Sequence, residues 1–87
     1  MNLVGEAYGY TNITATTTVY PSNCIMIGIF VSQASGSPTI KVTDGANTVI
    51  ETFVPIAASF YPIPAALGTN LRVTIGGTVS CTVFWST

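Results

Sequence analysis

CIMIGIFVSQ, residues 24–33, is the stretch on which the reading of the fold turns. Successive side chains of a strand point to opposite sides of its sheet, so a strand with one wet face alternates apolar and polar residues. Here Ile25, Ile27, Ile29 and Val31 occupy one set of alternate positions, and Cys24, Met26 and Phe30 occupy the other. Both sides of such a strand need cover. The run falls short of the roughly 18 apolar residues that a membrane-spanning helix requires. Its β-branched bias favours extended chain over helix. The expected arrangement is a central strand with Ile25, Ile27, Ile29 and Val31 in the core. The opposite face, with Met26 and Phe30, is left for a proline-rich segment or, in the preferred reading, a second subunit to cover. Gly28 allows a close approach there.

The flanking sequence also reads as strand. Residues 11–20 alternate, with Ile13, Ala15 and Val19 sharing a side with Thr11 and Thr17, until Pro21, Ser22 and Asn23 interrupt the chain. Residues 33–38, QASGSP, have the composition of a turn. In TIKVTDGANTVIETF, residues 39–53, a three- or five-residue loop around Ala46 sets Val42 opposite Ile50 and Ile40 opposite Thr52. That register also sets Lys41 opposite Glu51, a structural ion pair of roughly 0.2–1 kcal/mol. A two-residue Gly45–Ala46 loop mixes the faces and is disfavoured.

LRVTIGGTVSCTVFW, residues 71–85, reads as a hairpin with a three-residue loop at Gly76, Gly77 and Thr78. This pairs Ile75 with Val79, Val73 with Cys81 and Leu71 with Val83, and makes one apolar face that ends at Trp85. Between the hairpins, VPIAASFYPIPAALG carries three prolines, which exclude a regular helix and a central strand. A short edge strand from Ser59 to Ile63 followed by an extended crossing fits that segment. The sum is an all-β chain, a small antiparallel β-sandwich or jelly-roll-like barrel of six to seven short strands. Residues 11–87 form the single domain and residues 1–10 an N-terminal arm.

Charge is scarce. Of 87 residues only Glu6, Lys41, Asp44, Glu51 and Arg72 are charged, 6% against roughly 25% in ordinary soluble proteins. A net charge of -1 supplies no basic patch for nucleic acid and no field to steer a ligand. Hydrophobic content of 48% argues against disorder. The opening MNLVGEAYGY lacks the basic start and apolar stretch of a signal peptide, so no export is expected. The sequon at Asn12 is then expected to be accidental. Such a chain is suited to lie against other protein, and symmetric self-assembly limits the association that bare sheet edges invite.

Catalytic ingredients are missing. There is no histidine to act as base or metal ligand. Asp44 stands in a turn, Glu51 has Lys41 as partner, and no base is placed to activate a serine or threonine. The expectation is a non-enzyme with no cofactor and no metal. Cys24 and Cys81 are too far apart in sequence for a metal pair and are expected as buried free thiols. A disulfide stays open if their strands face each other. Tyr8, Tyr10, Tyr20, Met26, Phe30, Phe60 and Tyr61 are the candidate interface residues, since aromatic side chains offer large contact area with one polar tip. Trp85 and Phe84 end a core strand.

The segment VYPSNCIMIGIFVSQ, the TIKVTDGANTVIETF hairpin and the closing LRVTIGGTVSCTVFW, with Thr-rich strands and very low charge, together resemble small all-β virion proteins of tailed bacteriophages, of the capsid decoration (cement) type. The resemblance covers about two thirds of the chain and matches no residue-level motif, so no functional residue is carried over. It implies a homo-oligomer, often a trimer, made in the host cytoplasm and bound to the major capsid protein on the outer capsid surface. A tail, neck or fibre-associated role is the alternative within the virion. A surface adhesin or pilus-type module, using Trp85 or Tyr61 on a glycan, is the alternative outside it.

Overall fold

The computed structural model describes residues 9–87. Six strands follow one another: β1 (Gly9–Ile13), β2 (Thr17–Tyr20), β3 (Cys24–Asp44), β4 (Asn47–Phe53), β5 (Ser59–Leu67) and β6 (Leu71–Ser86). All pairings are antiparallel and belong to one sheet. The all-β antiparallel fold expected from the sequence is therefore present, but two of its strands are long. β3 has 21 residues and β6 has 16, and they pair with each other along almost their whole length.

At about 3.3 Å per residue a straight β3 would reach roughly 70 Å, yet the longest dimension of the protein is 43 Å. Both long strands bend where the register slips, between Ser35 and Thr39 on β3 and around Gly77 on β6. Gly36, Ser37 and Gly77 adopt positive φ there (65°, 59° and 69°). At Gly77 only glycine fits, since a Cβ would stand 2.6 Å from the Gly36 carbonyl oxygen. The bend folds the sheet into two leaves. One leaf has the order β5, first half of β3, second half of β6, β1. The other has β4, second half of β3, first half of β6, β2.

The leaves meet face to face, as in a sandwich. Tyr20 on one leaf packs against Trp85 on the other at 4.8 Å between ring centroids, and Phe53 meets Tyr61 edge to face at 5.1 Å. Met26, Ile29, Val31, Ile40, Val42, Leu71, Val73, Cys81 and Val83 are wholly buried between the leaves. Each large aliphatic or Met side chain withdrawn in this way stabilises the fold by about 1.5–3 kcal/mol before conformational entropy is set against it.

The two-sided stretch 24–33 is resolved by a β-bulge. Against β6 the register runs Met26 to Trp85 and then Gly28 to Phe84, so Ile27 is an extra residue on β3. One extra residue inverts every side chain beyond it. Cys24 and Met26 point inward before the bulge, and Ile29 and Val31 point inward after it. The expected core face of Ile25, Ile27, Ile29 and Val31 is therefore corrected: Ile25 is exposed, Ile27 half-buried, and Met26 belongs to the core. A second extra residue at Ser32 inverts the strand again before the bend.

The other departures share this physical origin. QASGSP is not a turn between strands but the bulged bend of one strand. No hairpin forms at Gly76–Thr78, where β6 runs on unbroken against β3. The expected face survives intact, because residues 71, 73, 75, 79, 81, 83 and 85 share parity whether the chain turns back over three residues or continues. The β3–β4 hairpin does use the two-residue Gly45–Ala46 turn, with Asp44 opposite Asn47. Bulges on β4 then restore Val42 opposite Ile50. They also bring Phe53, not Thr52, opposite Ile40, and set Glu51 and Thr52 together against Lys41 in place of the expected one-to-one Lys41–Glu51 pairing. The edge strand begins at Ser59 as expected and extends to Leu67, accommodating Pro62 and Pro64 because nothing pairs with its outer side among the described residues. Gly9 and Tyr10, expected in an arm, are the start of β1.

Candidate interaction surface

The outer face of the leaf formed by β5, β3, β6 and β1 is built by alternation. Phe60 on β5, Phe30 on β3, Thr82 and Phe84 on β6, and Tyr10 and Asn12 on β1 all turn away from the core. Phe30 stands opposite both Phe60 and Thr82, and Phe84 stands opposite both Gly28 and Tyr10. Asn12 donates a hydrogen bond from Nδ2 to Thr82 Oγ1 at 3.2 Å, which fixes the outward sense of both side chains.

Gly28 makes the stripe continuous. It lies between Phe60 and Phe84, and a Cβ there would be 2.6 Å from the Phe60 ring and 2.6 Å from the Tyr61 carbonyl oxygen. With no side chain in the way, the Phe60 ring lies over the β3 backbone and meets Phe84 edge to face at 6.2 Å. The outcome is an aromatic stripe across four strands, with Tyr10, Ile25, Phe30 and Phe60 exposed. Monomeric proteins seldom leave large contiguous apolar patches in water.

Charge is segregated from this stripe. Lys41 and Asp44 on β3, Glu51 on β4 and Arg72 on β6 all belong to the second leaf or its edge, so the aromatic leaf carries none of the charges among the described residues. Arg72 donates from Nη1 to Thr18 Oγ1 at 3.0 Å.

Of the expected interface residues, Tyr10, Phe30 and Phe60 fall on this face. Met26 does not; it is wholly buried. Tyr20 packs on Trp85, whose indole N–H donates to Thr11 Oγ1 at 3.3 Å, so this pair closes the sandwich edge. The Tyr61 phenol oxygen accepts the Ile56 N–H at 2.9 Å and anchors the β4–β5 loop. Beside it Ile50, Phe53, Tyr61, Pro62 and Ile63 line an open groove of about 200 Å³. Tyr8 lies outside the described residues. Ile25, expected on the core face, and Phe84, expected at the end of a core strand, also belong to this face; the parity of Phe84 with Thr82 and Ser80 places it outside.

The described residues also show what chemistry is on hand. Both cysteines are free and buried. Burial pushes the Cys81 thiol up to about 11, and burial followed by the Asp44 charge raises that of Cys24. Neutral thiols of this kind are poor nucleophiles. No three His, Cys, Asp or Glu side chains come together to hold a metal among the described residues, and no helix there is long and apolar enough to cross a membrane. Asp44, at the end of β3, accepts hydrogen bonds from the backbone N–H groups of Gly68, Thr69 and Asn70, which hold its carboxyl below the usual aspartate range.

No protein-family profile matches the chain, and no curated protein or solved structure does either.

Proposed function

We propose that the protein is a non-enzymatic structural subunit that works by burying its aromatic leaf against other protein. Its first partner is a further copy of itself, with a trimer favoured, and the assembly acts as a decoration subunit on the major capsid protein of a virion. The observation that carries this reading is the segregation on the molecule: an uncharged stripe of Tyr10, Phe30, Phe60 and Phe84 on one leaf, every described charge on the other. Interface cores are depleted in charge and enriched in aromatic residues, whereas charge keeps the remaining surface in solution. The virion setting rests on the sequence resemblance, and a tail, neck or fibre-associated position is its alternative.

Light scattering on the purified protein and on Phe30→Asp and Phe60→Asp variants tests the oligomer. The expected result is a discrete oligomer that becomes a folded monomer in both variants, since both side chains already reach solvent. A wild-type protein that is monomeric at tens of micromolar would overturn the reading. Mass spectrometry of purified virions, with electron microscopy to place the subunit on capsid or tail, tests the setting.

A further inference from the structure

The geometry points to an acid-releasable latch at the open end of the folded sheet, in which the Asp44 carboxylate ties down the strap of residues 68–70. That strap is the link from β5, on the aromatic leaf, to β6 where it begins on the other leaf. Asp44 Oδ1 accepts the N–H groups of Thr69 at 2.7 Å and Asn70 at 3.2 Å, and Oδ2 accepts that of Gly68 at 2.9 Å. Asn70 reciprocates through Oδ1, which accepts the Gly45 N–H at 2.9 Å. The β3–β4 turn and the β5–β6 strap thus hold each other through four hydrogen bonds, three of which end on one carboxylate.

A carboxylate accepts all three N–H groups, whereas a protonated carboxyl turns one oxygen into a donor facing donors. The backbone N–H groups of Gly68 and Thr69, and then Asn70, favour the ionised form, and partial burial opposes them. The folded value therefore lies below that of the unfolded chain. The latch is complete above the ordinary aspartate range and is lost as pH falls through the folded value.

The neighbouring charged groups stand apart from this contact. The strap itself carries no titratable side chain. Cys24, which faces Asp44 from the start of β3, stays a neutral thiol in acid. Arg72 on β6 is engaged with Thr18 on β2, and Lys41 and Glu51 sit further along β3 and β4, away from the open end. Release frees the strap next to Leu67, Cys24 and Leu71, the buried residues at this end of the core, and leaves the ladders of the bend untouched.

Amide spectra recorded by NMR from about pH 6 to about pH 2 test the latch. The Gly68, Thr69 and Asn70 amides are expected to titrate together with one midpoint below the ordinary aspartate range, with Gly45 following, while core amides such as those of Ile29 and Val83 hold still. In Asp44→Asn the strap amides lose this titration, and in Asn70→Ala only the Gly45 response disappears. Strap amides of the wild-type protein that do not move, or a spectrum that collapses as a whole at the same midpoint, would overturn the inference. The wild-type titration decides the matter even where a variant fails to fold.

Discussion

Replacing Met26 and Ile25 in turn tests the bulge at Ile27, on which the assignment of both faces depends. Met26 is wholly buried between the leaves, and its replacement by Ala removes three heavy atoms from a site walled in by β5 and β6. Such truncations cost about 2–5 kcal/mol, because a cavity remains in addition to the lost transfer energy. Ile25 is 45% exposed on the outer face, so Ile25→Ala costs less than about 1 kcal/mol. With a urea slope of about 1.5 kcal/mol per molar, the Met26 variant shifts the unfolding midpoint down by roughly 1.3–3.3 M and the Ile25 variant by less than about 0.7 M. Trp85, packed on Tyr20 across the leaves, reports the transition by fluorescence. An uninterrupted strand with Ile25, Ile27, Ile29 and Val31 turned inward predicts the reverse order. Finding Ile25→Ala as costly as Met26→Ala would refute the bulge and the aromatic face along with it.

Three further outcomes follow from the backbone and the thiols. Gly36 and Gly77 share positive φ, but a Cβ on Gly36 meets nothing nearer than Thr78 Oγ1 at 3.8 Å. Gly36→Ala is expected to cost about 1–2 kcal/mol; Gly77→Ala, which drives a Cβ into backbone, should cost at least about 1 kcal/mol more, and equal urea midpoints would count against the packed bend. Ala58 holds φ of 62° while its N–H donates to the Val31 carbonyl at 2.7 Å. Ala58→Gly should raise stability by up to about 1 kcal/mol, read as a higher melting temperature. With its thiol at about 11, Cys81 carries roughly one part in a thousand thiolate at about pH 8. Iodoacetamide should label it only on unfolding, and rapid native labelling seen by mass spectrometry would show the site to be open.

Strand content and facing were legible in the sequence wherever parity was preserved. Leu71 through Trp85 keep one parity, so their inward face could be read without knowing whether the chain turned. The same invariance hid the topology: two glycines inside an apolar alternation suit a hairpin loop and a bent strand equally. Cys24 to Val31 show the opposite case. Apolar residues on both parities signalled that something unusual happens there, but a bulge is set by the partner strand, and β6 lies some fifty residues further on. The aromatic face was half legible for this reason. Phe30 and Phe60 stood out as aromatics without a core role, while Ile25 could be placed only once the inversion at Ile27 was known.

The order of the strands along the chain has a consequence for synthesis. β6 is the pairing partner of β1, β2 and β3, and it follows all of them in sequence. As the polypeptide leaves the ribosome, β1 and β2 have no strand partner among the described residues until residues 71–86 have also emerged. Among the described strands, the β3–β4 and β3–β5 pairings alone are open to the nascent chain before then. Pairing across such long separations carries a loop-closure penalty and tends to be slow. During that interval the apolar sides of β3 stand uncovered at the density of a polysome, where neighbouring nascent chains are identical. The same late-arriving strand that completes the fold thus sets a window in which chaperone cover of β3 would govern how much of the protein is recovered.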